Sequence, residues 1–197
     1  MTSIAPIPVI AFVGKQNSGK TTLLVKLIAE LSERSVKVGT VKHHSHTGFE
    51  FDIVGKDSWR HRQAGSRFTV VAAPDQIASI QSADVDEETP LSRIIEQMTA
   101  AAVDLRGAPT LDVILVEGYR QSGYPTIELF RAANPKDAER SVGSEGNRII
   151  AVVTDIPRVV DEAASLAIPD SEVPVFGFED IGELADFVQR WIMIVEA

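Results

Sequence analysis

Short apolar runs alternate along the chain with stretches whose apolar residues recur every three or four positions. Residues 7–13 (IPVIAFV) and 111–116 (LDVILV) are short, apolar and rich in β-branched side chains. That is the pattern of strands covered on both faces. Between them, 21–34 places Leu24, Leu27, Ile28 and Leu31 at helical spacing, and 36–41 reads as a second strand. Residues 42–54 are polar and rich in histidine, the composition of a loop; 55–64 reads as a short helix closed by Gly65. Further strand-like runs occupy 67–73 and, more weakly, 76–81. The acidic stretch 84–89 (DVDEET) reads as a helix start with Thr89-Pro90 as its cap, and the helix continues through Ile94, Ile95 and Met98. Residues 126–130 look like a half-buried strand, and 148–153 and 173–176 like two more. Residues 134–147 (NPKDAERSVGSEGN) are polar and contain glycine, so a mobile surface loop is expected there. The tail, 181–194, is an amphipathic helix, and no internal repeat or heptad interrupts the series.

Strands alternating with helices predict an α/β fold: a mainly parallel sheet with helices on both faces. The runs 69–73 and 77–80, and the pair after Glu117, are expected as antiparallel ribbons at an edge. A chain of 197 residues suits one domain, 1–197. Composition narrows the chemistry. The absence of cysteine excludes disulfides, thiolate metal sites and cysteine nucleophiles. A net charge of −9 argues against a broad surface for nucleic acid or anionic membrane. The apolar start lacks the basic residues of a signal peptide, is broken by Pro6 and Pro8, and is too short to span a bilayer. The cytoplasm is therefore the expected location.

The stretch GKQNSGKT at 14–21 has the spacing G-x-x-x-x-G-K-[ST], and it sits between a buried strand and an amphipathic helix. Glycines allow the backbone to turn so that successive N–H groups face an anion. The following helix adds its N-terminal dipole. Lys20 supplies a cation for the terminal phosphates, and the Thr21 hydroxyl is the expected Mg²⁺ ligand. Gly14, Asn17, Ser18, Gly19 and Thr22 complete the stretch expected at the nucleotide. Lys15 has two readings: a lysine reaching across a dimer to a partner's nucleotide, or a solvated loop lysine, which the sequence favours. A carboxylate is needed on the Mg²⁺ side, and Glu117 directly follows the buried run 111–116, at the strand end where open α/β sheets bind ligands. Asp112 falls at the opposite end of that strand. His43, His44 and His46 follow the second strand, either as ligands for a transition metal or, the favoured reading, as part of a nucleotide-responsive segment that includes Lys42. Asp52 ends that segment, as a second carboxylate near Mg²⁺ or as a solvated loop acid.

Taken together, GKQNSGKTTL, VGTVKHHSH, FDIVGKDSWRHRQAGS, DVILVEGYR and IELFR resemble the molybdopterin-guanine dinucleotide biosynthesis protein B (MobB) family over most of the chain, from about residue 8 to residue 153. The resemblance implies a relative of dimeric P-loop GTPases that binds GTP with Mg²⁺ and hydrolyses it weakly. It implies a partner, the molybdenum-cofactor guanylyltransferase, which joins GMP to molybdopterin. Carried over by position, Gly14, Gly19, Lys20 and Thr21 hold phosphate and Mg²⁺, and Glu117 lies on the metal side. Lys42, His43 and Asp52 line the phosphate end, and the stretch 55–58 fixes the next helix. Asp155, after the run 148–153, is the residue expected to read guanine. A homodimer is also expected, from the resemblance and from the apolar side chains Ile127, Leu129 and Phe130 on a strand that needs cover. Two other functions fit parts of the pattern: a GTP-dependent nickel metallochaperone, through the histidines, and a small-molecule P-loop kinase, through Arg131, Arg140 and Arg148. No glutamine or arginine can be assigned from the sequence to the transition state, so slow turnover is expected.

Overall fold

The computed structural model describes residues 7–44, 46–83, 89–104, 108–168 and 171–196. The acidic stretch expected to start a helix falls mostly at 84–88, outside the described residues. The chain forms two compact units, one comprising 1–43 and 95–197 and the other 44–94.

The larger unit is built on a six-stranded sheet. Its strands are β1 (Val9–Val13), β2 (Val38–Lys42), β5 (Val113–Glu117), β6 (Pro125–Phe130), β7 (Arg148–Thr154) and β10 (Val175–Phe176), and the order across the sheet is β10-β7-β6-β1-β5-β2. Every neighbouring pair is parallel. Helices α1 (Lys20–Glu33) and α5 (Ile181–Glu196) pack on one face, where Leu23, Leu27, Leu31, Leu184 and Val188 meet Ile10, Phe12, Leu115, Ile127 and Leu129. On the other face Val159 and Ala163 of α4 (Pro157–Ala164) join Phe130, Val142 and Val152. β1 alternates Ile10 and Phe12 toward α1 with Val9, Ala11 and Val13 toward the opposite side, and all five are buried. That double burial is why the run reads as continuously apolar.

Two expectations change here. The strand at 126–130 is not half-buried: β6 lies between β1 and β7, is parallel to both, and buries every residue from Thr126 to Phe130. It therefore forms no antiparallel edge ribbon and offers no open edge to a second copy of the chain. The segment 134–147 is not simply a surface loop. It contains a 3-10 turn at Pro135–Asp137 and buries Asn134, Asp137 and Val142. A short antiparallel pair, β8 (Ala167–Ile168) with β9 (Ser171–Glu172), follows α4.

The smaller unit holds α2 (Asp57–Gln63) and an antiparallel ribbon of β3 (Phe68–Ala72) and β4 (Ile77–Gln81), which forms its own two-stranded sheet. Its surface carries exposed apolar side chains, among them Phe49, Phe51, Ile53, Phe68 and Ile77. α3 (Leu91–Ala101) begins in this unit and ends in the larger one. Among the described residues, no helix is long and apolar enough to cross a membrane.

Candidate nucleotide-binding site

Parallel strands place their carboxyl ends along one edge, and the loops leaving β1, β2, β5, β6 and β7 emerge there. The turn after β1 leaves room for no side chain at its first position. A Cβ on Gly14 would stand 2.5 Å from Ser18 Oγ and 3.0 Å from the Leu129 carbonyl oxygen. Further on, Asn17 (φ 68°) and Gly19 (φ 85°) take left-handed conformations. Asparagine tolerates that region and glycine enters it freely. α1 then starts at Lys20, with Leu23 N–H donating to Gly19 C=O at 2.9 Å. The Lys20 ammonium donates to the carbonyls of Gly14 (2.8 Å) and Lys15 (2.7 Å). Burial lowers its pKa; Glu117 opposes that shift and the Arg120 charge adds to it. A partly buried cation at a helix N-terminus that follows a glycine turn is an arrangement suited to phosphate.

Thr21, Glu117 and Lys42 meet at one point. Register sets this up, because Lys42 of β2 and Phe12 of β1 are the Cα partners of Glu117 on either side. The Thr21 hydroxyl donates to Glu117 Oε1 at 2.7 Å, and the Lys42 ammonium donates to the same oxygen at 2.8 Å and to Thr21 Oγ1 at 3.3 Å. A hydroxyl and a carboxylate are hard oxygen donors of the kind Mg²⁺ takes. That they gather an ammonium between them indicates a local potential favourable to a cation, so the donor set fits the metal. His43 supports this corner: its backbone N–H donates to Glu117 C=O at 2.9 Å, and its ring lies 4.7 Å from that of Tyr119. Gly118 must be glycine here, with φ 93° and a would-be Cβ 2.9 Å from His43 Cβ.

Asp155 sits just past β7, beside the end of β6. Its Oδ1 accepts from Ala132 N–H at 2.6 Å, and its Oδ2 lies 3.5 Å from Arg131 Nε. The Arg131 guanidinium stacks on the Phe178 ring, 4.1 Å from its centroid, and a Cβ on Gly19 would meet both side chains. Asp155 therefore belongs to a cluster with Arg131 and Phe178 against the start of α1. Phe178 had no signal in the sequence.

The segment 134–147 crosses the phosphate loop. Asn134 Nδ2 donates to Gln16 C=O at 3.1 Å, and Lys15 Nζ pairs with Glu145 at 2.8 Å. Arg120 Nε lies 3.6 Å from the other Glu145 oxygen. Lys15 is thus half-buried and paired within the chain. Beneath, Arg140 stacks on Phe130 and donates to Leu129 C=O, while buried Glu128 accepts from Gly143 N–H and Asn147 Nδ2. Burial raises the Glu128 pKa. The polar letters of this segment and the lone acid inside β6 were the available signal, but nothing local said that they met.

Asp52, His44 and His46 lie in the smaller unit. Asp52 Oδ1 accepts from the Ser58 hydroxyl at 3.0 Å, and its Oδ2 is buried with no hydrogen-bond partner. The His44 ring contacts those of His46 and Phe49. Among the described residues, no three His, Asp or Glu side chains gather as a metal centre would need.

The profile of the family described as Molybdopterin guanine dinucleotide synthesis protein B matches residues 9–155. The chain belongs to that family. It is 33% identical over 186 residues to the molybdopterin-guanine dinucleotide biosynthesis adapter protein of Escherichia coli K12, covering 94% of each. Identity to the Haemophilus influenzae protein of the same name is 31%, covering 94% of this chain and 90% of that one. Among solved structures, Bacillus subtilis MobB superposes with a TM-score of 0.65 at 25% identity, covering 93% of this chain and 97% of that one. A MobB homologue from Bacillus stearothermophilus gives 0.61 at 24% identity, covering 94% and 98%, and supports the fold alone.

Proposed function

We propose that this protein is a nucleotide-binding adapter of molybdopterin guanine dinucleotide biosynthesis. It binds GTP with Mg²⁺, hydrolyses it slowly and assists a guanylyltransferase that joins GMP to molybdopterin. The observation that carries the reading is the meeting of Thr21, Glu117 and Lys42 beside the phosphate loop. Family membership supports the adapter role, because relatives covering nearly the whole chain carry that name. Lys20 and the loop amides bind phosphate; Thr21 and Glu117 hold Mg²⁺, which neutralises phosphate charge when bound. Asp155 reads the guanine donors, which adenine lacks.

Two of the three arginines behind the kinase reading are held in place: Arg140 is buried on Phe130 and Arg131 is stacked on Phe178, whereas Arg148 is exposed. The homodimer remains part of the proposal, but its interface must lie elsewhere than β6, which already has neighbours on both sides. Light scattering at micromolar concentration should return twice the chain mass of 21.4 kDa.

The deciding experiment is capture of partners on the immobilised protein with GTP, GDP or no nucleotide, identifying bound proteins and pterins. Nucleotide-dependent retention of a guanylyltransferase is expected. Retention of a nickel enzyme in its place would overturn the reading. Competition binding of GTP and ATP, repeated on Asp155→Ala, tests the base; equal affinity of the wild type for both would remove guanine from the proposal.

A further inference from the structure

Arg120 and Glu145 take no part in the functions assigned above, yet both lie at the phosphate loop. Arg120 follows Glu117 by three residues, through a turn in which Gly118 and Tyr119 are both left-handed (φ 93° and 53°). This turn carries the Arg120 side chain back toward the loop. There the Glu145 carboxylate bridges two cations, with Oε1 on Lys15 Nζ at 2.8 Å and Oε2 at 3.6 Å from Arg120 Nε. Glu145 is held from both ends of its segment. Asn134 Nδ2 is bonded to Gln16 C=O, and Asn147 Oδ1 accepts from Gln121 N–H at 3.0 Å, so the strap at 134–147 is tied to the phosphate loop and to the turn after β5. Glu145 Oε2 is buried and makes no hydrogen bond, so its contact with Arg120 is Coulombic. Burial raises the carboxyl's pKa, but the bond from Lys15 and the charges of Arg120, Lys15 and Arg140 outweigh it, and the net shift is downward. The Arg120 charge is also felt at Lys20, whose pKa it helps to lower.

A carboxylate drawn between two cations at the mouth of a phosphate loop is an anion in a place suited to phosphate oxygen. We propose that Arg120 is the cation that binds the terminal phosphate of a nucleoside triphosphate, and that Glu145 is an internal anion competing with that phosphate for Arg120 and Lys15. This inference rests on the nucleotide-binding reading. It extends it by naming a cis arginine for the terminal phosphate and a strap whose hold on the loop weakens when that phosphate binds. Arg120 suits this role because its side chain is half exposed, and its planar fork matches phosphate better than a lysine does. A diphosphate ends short of Arg120 and leaves the Glu145 contact intact. The arrangement therefore discriminates triphosphate from diphosphate.

The test is calorimetric titration of GTP and GDP, each with Mg²⁺, into wild type, Arg120→Ala, Glu145→Gln and the double variant, with Lys20→Ala as reference. Arg120→Ala should weaken GTP about tenfold or more, the worth of one charge-assisted hydrogen bond, and change GDP little. Glu145→Gln should tighten GTP several-fold, and that gain should shrink to the share owed to Lys15 when Arg120 is already replaced. Melting curves of each free variant show that it is folded. Arg120→Gln provides a second variant if Arg120→Ala does not fold. Equal effects of Arg120→Ala on GTP and GDP overturn the proposal. So does a gain from Glu145→Gln that is undiminished without Arg120, because Glu145 would then not compete for Arg120. If Lys20→Ala abolishes binding while the Arg120 and Glu145 variants leave the GTP-to-GDP ratio unchanged, the inference fails and the nucleotide site stands. If wild type binds no nucleotide, both fail.

Discussion

Replacing Glu117 by glutamine separates its contribution to the fold from the metal-binding role proposed for it. Glu117 Oε1 accepts from both Thr21 Oγ1 and Lys42 Nζ, and glutamine can present an oxygen at the same place. The loss to the free protein is therefore the charge of a pair whose lysine side chain is 59% exposed, about 1 kcal/mol or less. In a domain of this size that lowers the melting temperature by roughly 2–4 °C. The loss to Mg²⁺ should be larger, because a neutral amide would replace the carboxylate on the proposed metal side of the site. Suppose that Mg·GTP is present at about a hundred times its wild-type Kd. It then stabilises wild type by about 2.7 kcal/mol. A hundredfold loss of affinity leaves RT ln 2, about 0.4 kcal/mol. The ligand-induced rise in melting temperature should fall from roughly 5–10 °C to about 1 °C. Thermal melts of both proteins, with and without Mg·GTP, and with GTP and a chelator, measure each term. The same Mg²⁺-dependent rise in the variant and in wild type would refute the assignment of Glu117 to the metal. A drop of several kcal/mol in the free variant would show instead that the Thr21–Glu117–Lys42 contacts support the fold.

Lys20→Ala should abolish GTP binding in a folded protein, since the ammonium bonds to groups of its own turn, the carbonyls of Gly14 and Lys15 and the Ser18 hydroxyl; calorimetry on the variant checks it. Gly118→Ala should destabilise by about 1–3 kcal/mol, because φ is 93° and the new Cβ would press on His43 Cβ, and urea unfolding will read the loss. Glu145→Gln should cost about 1 kcal/mol or less, and only in one pH range. The folded carboxyl has a lowered pKa, so its stabilisation is present above the ordinary carboxyl value and is lost as pH falls through the folded value. Unfolding curves of variant and wild type should therefore differ near neutral pH and converge in acid.

Local pattern carried the reading wherever the deciding contacts are close in sequence. The phosphate loop, its strand and its helix lie within 9–33, and fixed spacing announces them. Glu117 was legible because the apolar run before it marks a buried strand, and a parallel sheet brings every such strand end to one edge. β6 misled for the opposite reason. Glu128 in its middle made the run look half exposed, yet Glu128 is buried because Gly143 and Asn147, from a segment that looked like plain loop, supply its hydrogen bonds. α4 went unread because it is short and only Val159 and Ala163 are buried, too few to establish a period, although Pro157 at its start is a fair signal. The ribbon of β3 and β4 was legible as a pair, but its separation from the main sheet was not, since alternation within a strand says nothing about which sheet it joins.

The acidic balance of the chain and its anion site are reconciled by the same strap. A net charge of −9 sets a field that repels a nucleotide at long range, so the proposed binding must come from cations placed within contact distance. Lys15, Lys20 and Arg120 would supply them, Arg140 lies beneath, and four cations so near one another would repel strongly if nothing stood between them. Glu145 lies between Lys15 and Arg120, Asp137 beside Arg140, and the charges of Glu128 and Asp137 both raise the Arg140 pKa against its burial. These acids let the cations be held together in the folded protein. Their strength as competitors differs with position. Glu128 and Asp137 are buried, bonded to backbone and amide groups, and cannot be exchanged without disturbing β6 and its neighbours. Glu145 stands at the loop itself, against the side chains of Lys15 and Arg120. Of the acids beneath and across this site, it is the one whose partners a phosphate can take while the core stays as it is.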